Sequence, residues 1–143
     1  MKIRNIVFLT FLILLSLTGC SNNKIYIEDE NKLLSEEDIS SISQITTKNY
    51  KFYVFISNEY TFENDYTFMS NEFINKHVIN QDNLIMYYIG MEKHVINIQI
   101  TDCVQRKISQ YRLDKAVSIM SNSFKNSEFA KGINDSILYL DNK

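Results

Sequence analysis

Proline is absent from this chain of 143 residues, and glycine and cysteine are scarce, with 3 Gly and 2 Cys. After Gly19, the only glycines are Gly90 and Gly132. A phosphate-binding P-loop, a GxGxxG dinucleotide turn and the GxSxG elbow of hydrolases each need closely spaced glycines. These three motifs are therefore excluded, and neither HExxH nor CxxC occurs in the sequence. Many familiar enzyme classes are ruled out by these absences.

The charged residues are nearly balanced, with 15 Lys and Arg against 17 Asp and Glu. No basic patch interleaved with aromatic residues occurs along the chain, so nucleic-acid binding is not expected. The length is that of one ordinary domain with room for a substantial core.

The longest apolar run stands near the start of the chain, from Ile6 to Leu17, after the basic residues Lys2 and Arg4. About 12 helical residues rise only about 18 Å, which is short of the roughly 30 Å hydrocarbon core of a bilayer. A charged start followed by a short apolar stretch and small residues is typical of a secretory signal. The run is therefore predicted to be removed rather than to span the membrane.

The run ends in the sequence LTGC, whose last residue is Cys20. This ending resembles the lipobox of bacterial lipoproteins, in which the cysteine becomes the first mature residue and carries lipid on its sulfur. The alternative is an ordinary secretory signal that contains Cys20 by coincidence. Because the chain has only 2 cysteines and one falls at this position, the lipobox interpretation is favoured.

The sequence thus predicts a lipoprotein signal peptide over residues 1–19, a lipidated cysteine with a short tether over 20–24, and one α/β domain over 25–143. Each buried methylene contributes about 0.8 kcal/mol, so the acyl chains on Cys20 would hold the protein firmly. The expected location is the extracytoplasmic side of the cell membrane, with the bilayer and a nearby membrane protein as partners. Loss of Lys2 and Arg4 with the leader leaves 13 basic and 17 acidic residues, a net charge of about −4.

Apolar periodicity and turn residues divide the rest of the chain into helices and strands. The first is a helix capped by Ser35, with Asp38 in a capping box, and a buried strand over 50–57 follows it. A second helix opens at 63–65 with His77 on its apolar face, and it leads to a buried strand over 84–89 and its hairpin partner over 95–101. A third helix starts at 113, and a last helix follows a break at 125–127. Strands this apolar need cover on both faces. The predicted fold class is therefore α/β, a three-layer α/β/α sandwich with a small mixed sheet and helices on both faces. The strands over 50–57 and 84–89 are expected to be parallel, joined by a right-handed crossover.

Several blocks of sequence resemble the TPM domain, a family named for thylakoid-lumen and membrane-anchored members. They are Asp29 with Leu33-Leu34-Ser35, Asp82-Asn83 before a hydrophobic strand, Leu113-Asp114, and the closing blocks FKNSEF over 124–129 and KGI over 131–133. The resemblance spans nearly the whole of the predicted domain. Leu84 and Ser127 stand where the family usually has glycine.

The resemblance implies a small α/β/α domain on the outer side of a membrane. Family members are associated with repair or assembly of membrane complexes, and plant members with acid phosphatase activity. An acidic cluster that can hold a divalent cation belongs to the family picture, and here the matching positions are Asp29, Asp82 and Asp114. Ca²⁺ or Mg²⁺ would be the ion, with Asn83 and Asp102 as further oxygen donors. The alternative is that the three aspartates cap turns and helices, as aspartate often does.

Three functions follow as hypotheses from the anchor and the resemblance. The first is a non-enzymatic, lipid-anchored module that binds, or helps to assemble or maintain, a membrane-associated protein complex. The second is a metal-assisted acid phosphatase that uses the acidic cluster. The third is a generic accessory lipoprotein whose fold only supports a partner-binding surface.

Two further features could carry chemistry. The sequence KHVIN occurs at 76–80 and again at 93–97, and holds both histidines, which could suggest a transition metal. The first copy is expected to end a helix and the second to enter a strand, so coincidence is favoured. Cys103 could be a thiol nucleophile, but a lone cysteine after a strand is more often a small buried residue.

Overall fold

The structure is a computed structural model, and it describes residues 23–61, 71, 74–77 and 79–142. The predicted signal peptide, Cys20 and the predicted helix opening at 63–65 lie outside these residues. Residues 71 and 74–76 are helical, within the connection between the second and third strands.

The centre of the domain is a four-stranded sheet in the order β1-β2-β3-β4. Its strands are β1 (Ile25–Asp29), β2 (Lys51–Ser57), β3 (Leu84–Gly90) and β4 (Val95–Ile100). β1 and β3 both pair in parallel with β2, and β4 pairs antiparallel with β3. The predicted parallel pairing of the two buried strands and the hairpin after them are therefore confirmed, and the sheet is mixed.

Three of the four helices whose two ends lie within the described residues follow the sequence periodicity closely, and the short second one was not expected. They are α1 (Glu36–Ser43), α2 (Asp102–Gln105), α3 (Gln110–Phe124) and α4 (Phe129–Asp141). Ser35 caps α1 as predicted, since its side chain accepts from the Asp38 backbone N–H while the Asp38 carboxylate accepts from the Ser35 backbone N–H. This reciprocal pair satisfies two donors that the helix itself leaves without partners.

Both faces of the sheet are covered, which confirms the α/β fold class. On one face, alternate strand residues such as Phe52, Val54 and Tyr87 pack in a core with the buried residues of α1, α3 and α4. On the other face, Tyr53 and the remaining alternate residues form a second core with the segment that connects β2 to β3. The continuous apolar run of β2 follows from this arrangement, because a strand buried on both sides has no polar face.

The connection between α3 and α4 is a tight Schellman turn at Ser127. The Glu128 N–H donates to the Ser123 carbonyl and the Ser127 N–H donates to the Phe124 carbonyl, while Ser127 takes a φ of 59°. Glycine is preferred at such a left-handed position because a side chain is disfavoured there. After the turn, α4 packs tightly on α3, since a Cβ added to Gly132 would stand 2.9 Å from the Ser123 Cβ.

Asp141, in the last turn of α4, fixes the C-terminal helix to the loop before β2. Its carboxylate accepts from the backbone N–H groups of Lys48, Asn49 and Tyr50 at 2.7, 2.8 and 3.0 Å. An acidic residue at the negative end of a helix dipole is locally unfavourable. The tertiary hydrogen bonds offset that cost, and they join residues more than 90 positions apart.

Candidate partner-binding groove

Asp29, the first of the predicted cation ligands, is a capping residue in the structure. It ends β1, and its two carboxylate oxygens accept from the Leu33 and Leu34 backbone N–H groups at 2.9 and 2.8 Å. These bonds shape the loop that leads into α1. The capping alternative accounts for both oxygens of this side chain.

Asp82 and Asp114 are not brought to Asp29. In the register of the parallel strands, Asp29 lies level with Ile89, and Asp82 comes seven residues earlier, before β3 begins. Seven strand residues correspond to roughly 23 Å. Asp114 lies on α3 beside β4, at the opposite edge of the sheet from β1, and three strand spacings correspond to roughly 14 Å.

The other oxygen donors do not complete a cluster around these aspartates. Asp82 and Asp102 are both exposed at the end of the sheet where β3 begins and β4 ends, and there the Lys107 ammonium donates to the Asn83 side chain at 2.7 Å. Asp114 is exposed and accepts from Gln110 on the same helix at 2.9 Å. In the part of the chain that the structure describes, no three His, Cys, Asp or Glu side chains are grouped to hold a metal ion. The predicted shared cation site therefore gains no support from the geometry.

The histidines and Cys103 also stay apart from one another. His77 follows the helical residues 74–76 and its ring lies 6.1 Å from that of Tyr26, near the start of β1. His94 lies in the turn before β4 with a φ of 52°. The two KHVIN copies thus occupy different structures, as predicted. Cys103 is an exposed residue of α2, so the expectation that it is buried is wrong.

Two cavities lie side by side along β4 and α3. The larger, of about 500 Å³, lies between the β3–β4 turn and the α3–α4 turn, and the smaller, of about 340 Å³, lies beside the middle of β4. Ile96 lines both cavities. We call the two cavities together the β4–α3 groove.

One side of the groove is a stripe of α3, and the other side is the edge of the sheet. The helical residues Leu113 and Val117 line the smaller cavity, and Ser121 and Phe124 line the larger one. These positions are spaced three or four apart, so they form one face of the helix. The fully buried face of α3 is different, because it is formed by Ala116 and Met120.

The larger cavity of the groove is mainly apolar, whereas the polar residues Asn97, Gln110 and Asp114 are among those that line the smaller one. Phe129, Met91 and Val95 complete the apolar wall of the larger cavity, while Lys125 and His94 are exposed at its edge. A mainly apolar cleft with few polar groups is the usual form of a binding site. It lies at the C-terminal end of β3, the end of a parallel strand at which open α/β sheets usually bind ligands.

The described tyrosines with strongly shifted pKa values belong to the two cores and do not line the groove. Burial raises the pKa of Tyr87, and its hydroxyl forms a 2.8 Å hydrogen bond with Ser136 inside the first core. Burial, together with the nearby Glu28 carboxylate, raises the pKa of Tyr53. Neutral phenols with these surroundings stabilise the cores and are poor candidates for acid–base catalysis at neutral pH.

The groove was not predicted from the sequence, although one signal for it was present. The signal is the helical spacing of five apolar residues in this part of the sequence, which are Leu113, Ala116, Val117, Met120 and Phe124. An apolar face this wide covers more of the helix than the sheet can bury, so part of it is left beside β4.

Within the described residues, no helix is both long and apolar enough to cross a bilayer.

Comparison with known proteins shows what the fold resembles. No protein-family model and no curated protein matches the sequence. The chain is similar to the solution NMR structure of the N-terminal domain of the cg2496 protein from Corynebacterium glutamicum, with a TM-score of 0.59 and 12% identity over 86% of this chain and 80% of that one. It is also similar to the BA42 protein from the psychrophilic bacterium Bizionia argentinensis, with a TM-score of 0.61 and 18% identity over 80% of this chain and 82% of that one.

A third similar structure is the N-terminal domain of a protein from P. gingivalis, with a TM-score of 0.59 and 14% identity over 80% of this chain and 78% of that one. The chain therefore has the fold of a group of small bacterial α/β domains. At these identities the likeness concerns the fold alone.

Proposed function

We propose that this protein is a lipid-anchored module of the extracytoplasmic membrane surface, with a TPM-like domain that binds a membrane-associated protein or complex and helps to assemble or maintain it. The anchor is Cys20, acylated after removal of residues 1–19. The observation that carries the binding role is the apolar β4–α3 groove, whose larger cavity measures about 500 Å³. The sequence blocks at Asp29 and over 124–129 support the TPM assignment, and the fold shared with small bacterial domains is consistent with it.

The tether between anchor and domain is short. Asn23 already forms a bridge with Thr47, and β1 begins at Ile25. Two residues, Ser21 and Asn22, separate Cys20 from Asn23. The three steps between Cα atoms reach at most roughly 11 Å, so an acylated cysteine would hold the domain against the bilayer. A partner within reach of such a domain is itself at the membrane surface.

The tether also gives the domain an orientation. Ile25 lies level with Phe52 and Ile85 at the start of the parallel strands, whereas Gly90 at the groove lies five residues further along β3. Five strand residues correspond to roughly 17 Å. The larger cavity is thus at the end of the sheet away from the tether, open to a partner that extends above the lipid headgroups.

Binding is favoured over phosphatase activity by the positions of the carboxylates. Metal-assisted hydrolysis requires carboxylates that converge on one ion and one activated water. Both carboxylate oxygens of Asp29 accept from backbone N–H groups. Asp82 precedes the start of β3 and Asp114 lies on α3, so neither is positioned to share an ion with Asp29.

The anchor is tested by membrane fractionation of cells that express the Cys20→Ala variant. We expect this variant to leave the membrane fraction or to accumulate as unprocessed precursor. Cys103→Ala is the matched control, because Cys103 is exposed in the folded domain and should not affect fractionation. Unchanged fractionation of Cys20→Ala would refute the anchor.

The binding role is tested by chemical crosslinking in membranes followed by purification of the protein. Ser121 lines the larger cavity, so Ser121→Trp should fill it and remove the crosslinked partner. Ser118→Trp, on the exposed side of the same helix, should leave the partner in place. Loss of the partner in both variants, or in neither, would count against the groove as the binding site.

A further inference from the structure

We infer that the β4–α3 groove binds an extended peptide segment of the partner, which adds to β4 as a fifth strand with apolar side chains at alternate positions and an acidic residue near its C-terminal end. The inference rests on the proposed binding function and names its site and ligand class. Its basis is the hydrogen-bonding edge of β4, the charge pattern of the two sheet edges, and the shape of the groove.

The outer edge of β4 offers a regular set of backbone hydrogen-bonding groups. The Thr101 N–H donates to the Leu84 carbonyl, so the residue opposite Leu84 directs its backbone groups toward β3. Direction alternates along an antiparallel pair, and Ile96, Ile98 and Ile100 therefore direct their N–H and C=O groups away from β3. Of the strands that the structure describes, only β3 pairs with β4.

The two edges of the sheet differ in their protection against strand addition. β1 carries Glu28 and Asp29 and follows Lys24, and charged side chains on an edge strand discourage pairing with another chain. β4 has the sequence VINIQI, with neither charge nor proline. An uncharged edge strand without a partner promotes aggregation with other chains. The same property allows it to bind a peptide as an added strand.

The groove has space for the side chains of such a strand. Residues directly opposite each other in neighbouring strands project to the same face of the sheet. Ile96, Ile98 and Ile100 pack on the α3 side, so the peptide residues that bond to them also project to that side. There the smaller cavity beside Val117 and the larger cavity beside Phe124 follow each other along β4.

The rim charge indicates where an antiparallel peptide would carry its acidic residue. An antiparallel strand would start beside Ile100 and end beside Val95, next to Lys125 at the rim of the larger cavity. The one salt bridge among the described residues joins Lys131 to Glu128, so Lys125 is not used in an ion pair there. An acidic side chain after the last apolar residue of the peptide would meet this ammonium group.

The test uses the full-length purified protein in detergent and the fluorescent peptide Thr-Val-Thr-Val-Thr-Val-Thr-Asp, with binding measured by fluorescence anisotropy. Valine residues would face the groove and also bond to β4, whereas the threonine N–H groups would point to solvent. N-methylation of the three valines should lower the affinity at least about tenfold, and N-methylation of three threonines should change it little. This pair of peptides has equal composition and requires no change in the protein.

Protein variants give a second measurement. Ile98→Pro removes an N–H that points away from β3, so it should weaken peptide binding while the ladder to β3 is retained. Ile98→Val keeps the N–H and is the matched control. Lys125→Glu should also weaken binding of the peptide, and circular dichroism of each variant reports whether the fold is retained.

Equal affinity for the two methylated peptides, or no binding of the parent peptide, would overturn the inference. Concentration-dependent dimers that disappear in Ile98→Pro, without peptide binding, would overturn it in favour of pairing between two copies of this chain. The assay does not depend on lipidation or on the native partner. If it fails while the Cys20 and Ser121 results stand, only the strand-addition inference falls.

Discussion

Replacement of Asp141 tests whether tertiary hydrogen bonds to the end of α4 hold the two ends of the domain together. The side chain is 8% exposed and accepts from three backbone N–H groups in the loop before β2. In Asp141→Asn, an amide nitrogen replaces one carboxylate oxygen. The amide nitrogen is a donor, so it cannot accept from the backbone N–H that it faces. In Asp141→Ala all three donors lose their acceptor.

The expected cost follows from the number and burial of these donors. A hydrogen bond to a charged group contributes about 1.5–3 kcal/mol, and a buried donor left without a partner costs about 1–3 kcal/mol. Only the Tyr50 donor is fully buried, since the Lys48 and Asn49 bonds are partly accessible and water can replace some of their loss. We therefore expect a loss of about 3–4 kcal/mol for Asp141→Ala and about 2–3 kcal/mol for Asp141→Asn, a large part of the roughly 5–15 kcal/mol typical of a domain.

The assay is urea unfolding of the purified mature protein, followed by far-ultraviolet circular dichroism. For a domain of this length, the loss in Asp141→Ala corresponds to a fall of roughly 10–15 °C in Tm. Asp135→Asn is the matched control, because Asp135 is exposed on the same helix and its replacement should change stability by no more than about 0.5 kcal/mol. A loss below about 1 kcal/mol in both Asp141 variants would refute this account of the contact.

Three other outcomes are expected from thermal and pH unfolding. Ser127→Gly should raise stability by about 0.5–1 kcal/mol, because glycine removes the left-handed strain at this turn; an equal or lower Tm would contradict it. Gly90→Ala should destabilise the protein by at least about 1 kcal/mol, since its Cβ would stand 2.3 Å from the Tyr60 carbonyl oxygen, and unchanged stability would be the contrary result. Burial raises the pKa of Tyr87 and Tyr88 above the ordinary value of 10.0, so the stability that their neutral forms contribute is complete below pH 10 and is lost as the pH rises further. Ultraviolet titration of phenolate should therefore show these groups ionising together with loss of circular dichroism, and their ionisation in a folded protein would argue against the burial.

Much of the fold could be predicted because local signals and burial agree. The apolar run of β2 and the alternation in β4 are strong strand signals, and Ser35 with Asp38 gives a complete capping box. β1 was missed because its sequence IYIED is short and ends in two acids, so it shows neither a buried run nor a long alternation. Its pairing with β2 is a tertiary contact that neighbouring residues do not encode. α2 was missed because its four residues are too few to show helical periodicity.

The candidate site was less accessible to sequence reasoning because it depends on which elements become neighbours. Asp29 and Asp82 occur at element boundaries, where aspartate serves as a cap or as a ligand with the same local pattern, and Asp114 lies in the second turn of α3, where an exposed carboxylate is equally ordinary. Whether such residues share an ion depends on the order and register of the strands. Here the strand order and register place the three residues far apart, both along the strands and across the sheet. No local sequence pattern marks the groove as a binding site, because Val117 and Phe124 are ordinary apolar helix residues. They line a groove only because α3 lies beside the edge strand β4.

Photocrosslinking in intact cells tests the central claim that a lipid-anchored domain holds its partner in the β4–α3 groove. A benzoylphenylalanine placed at Val117 would face the groove, whereas one at the adjacent exposed Ser118 would face solvent. We predict a discrete crosslinked membrane protein from position 117 that is absent from position 118 and lost in Ile98→Pro. Products of equal yield from both positions, or a product from 118 alone, would contradict the account.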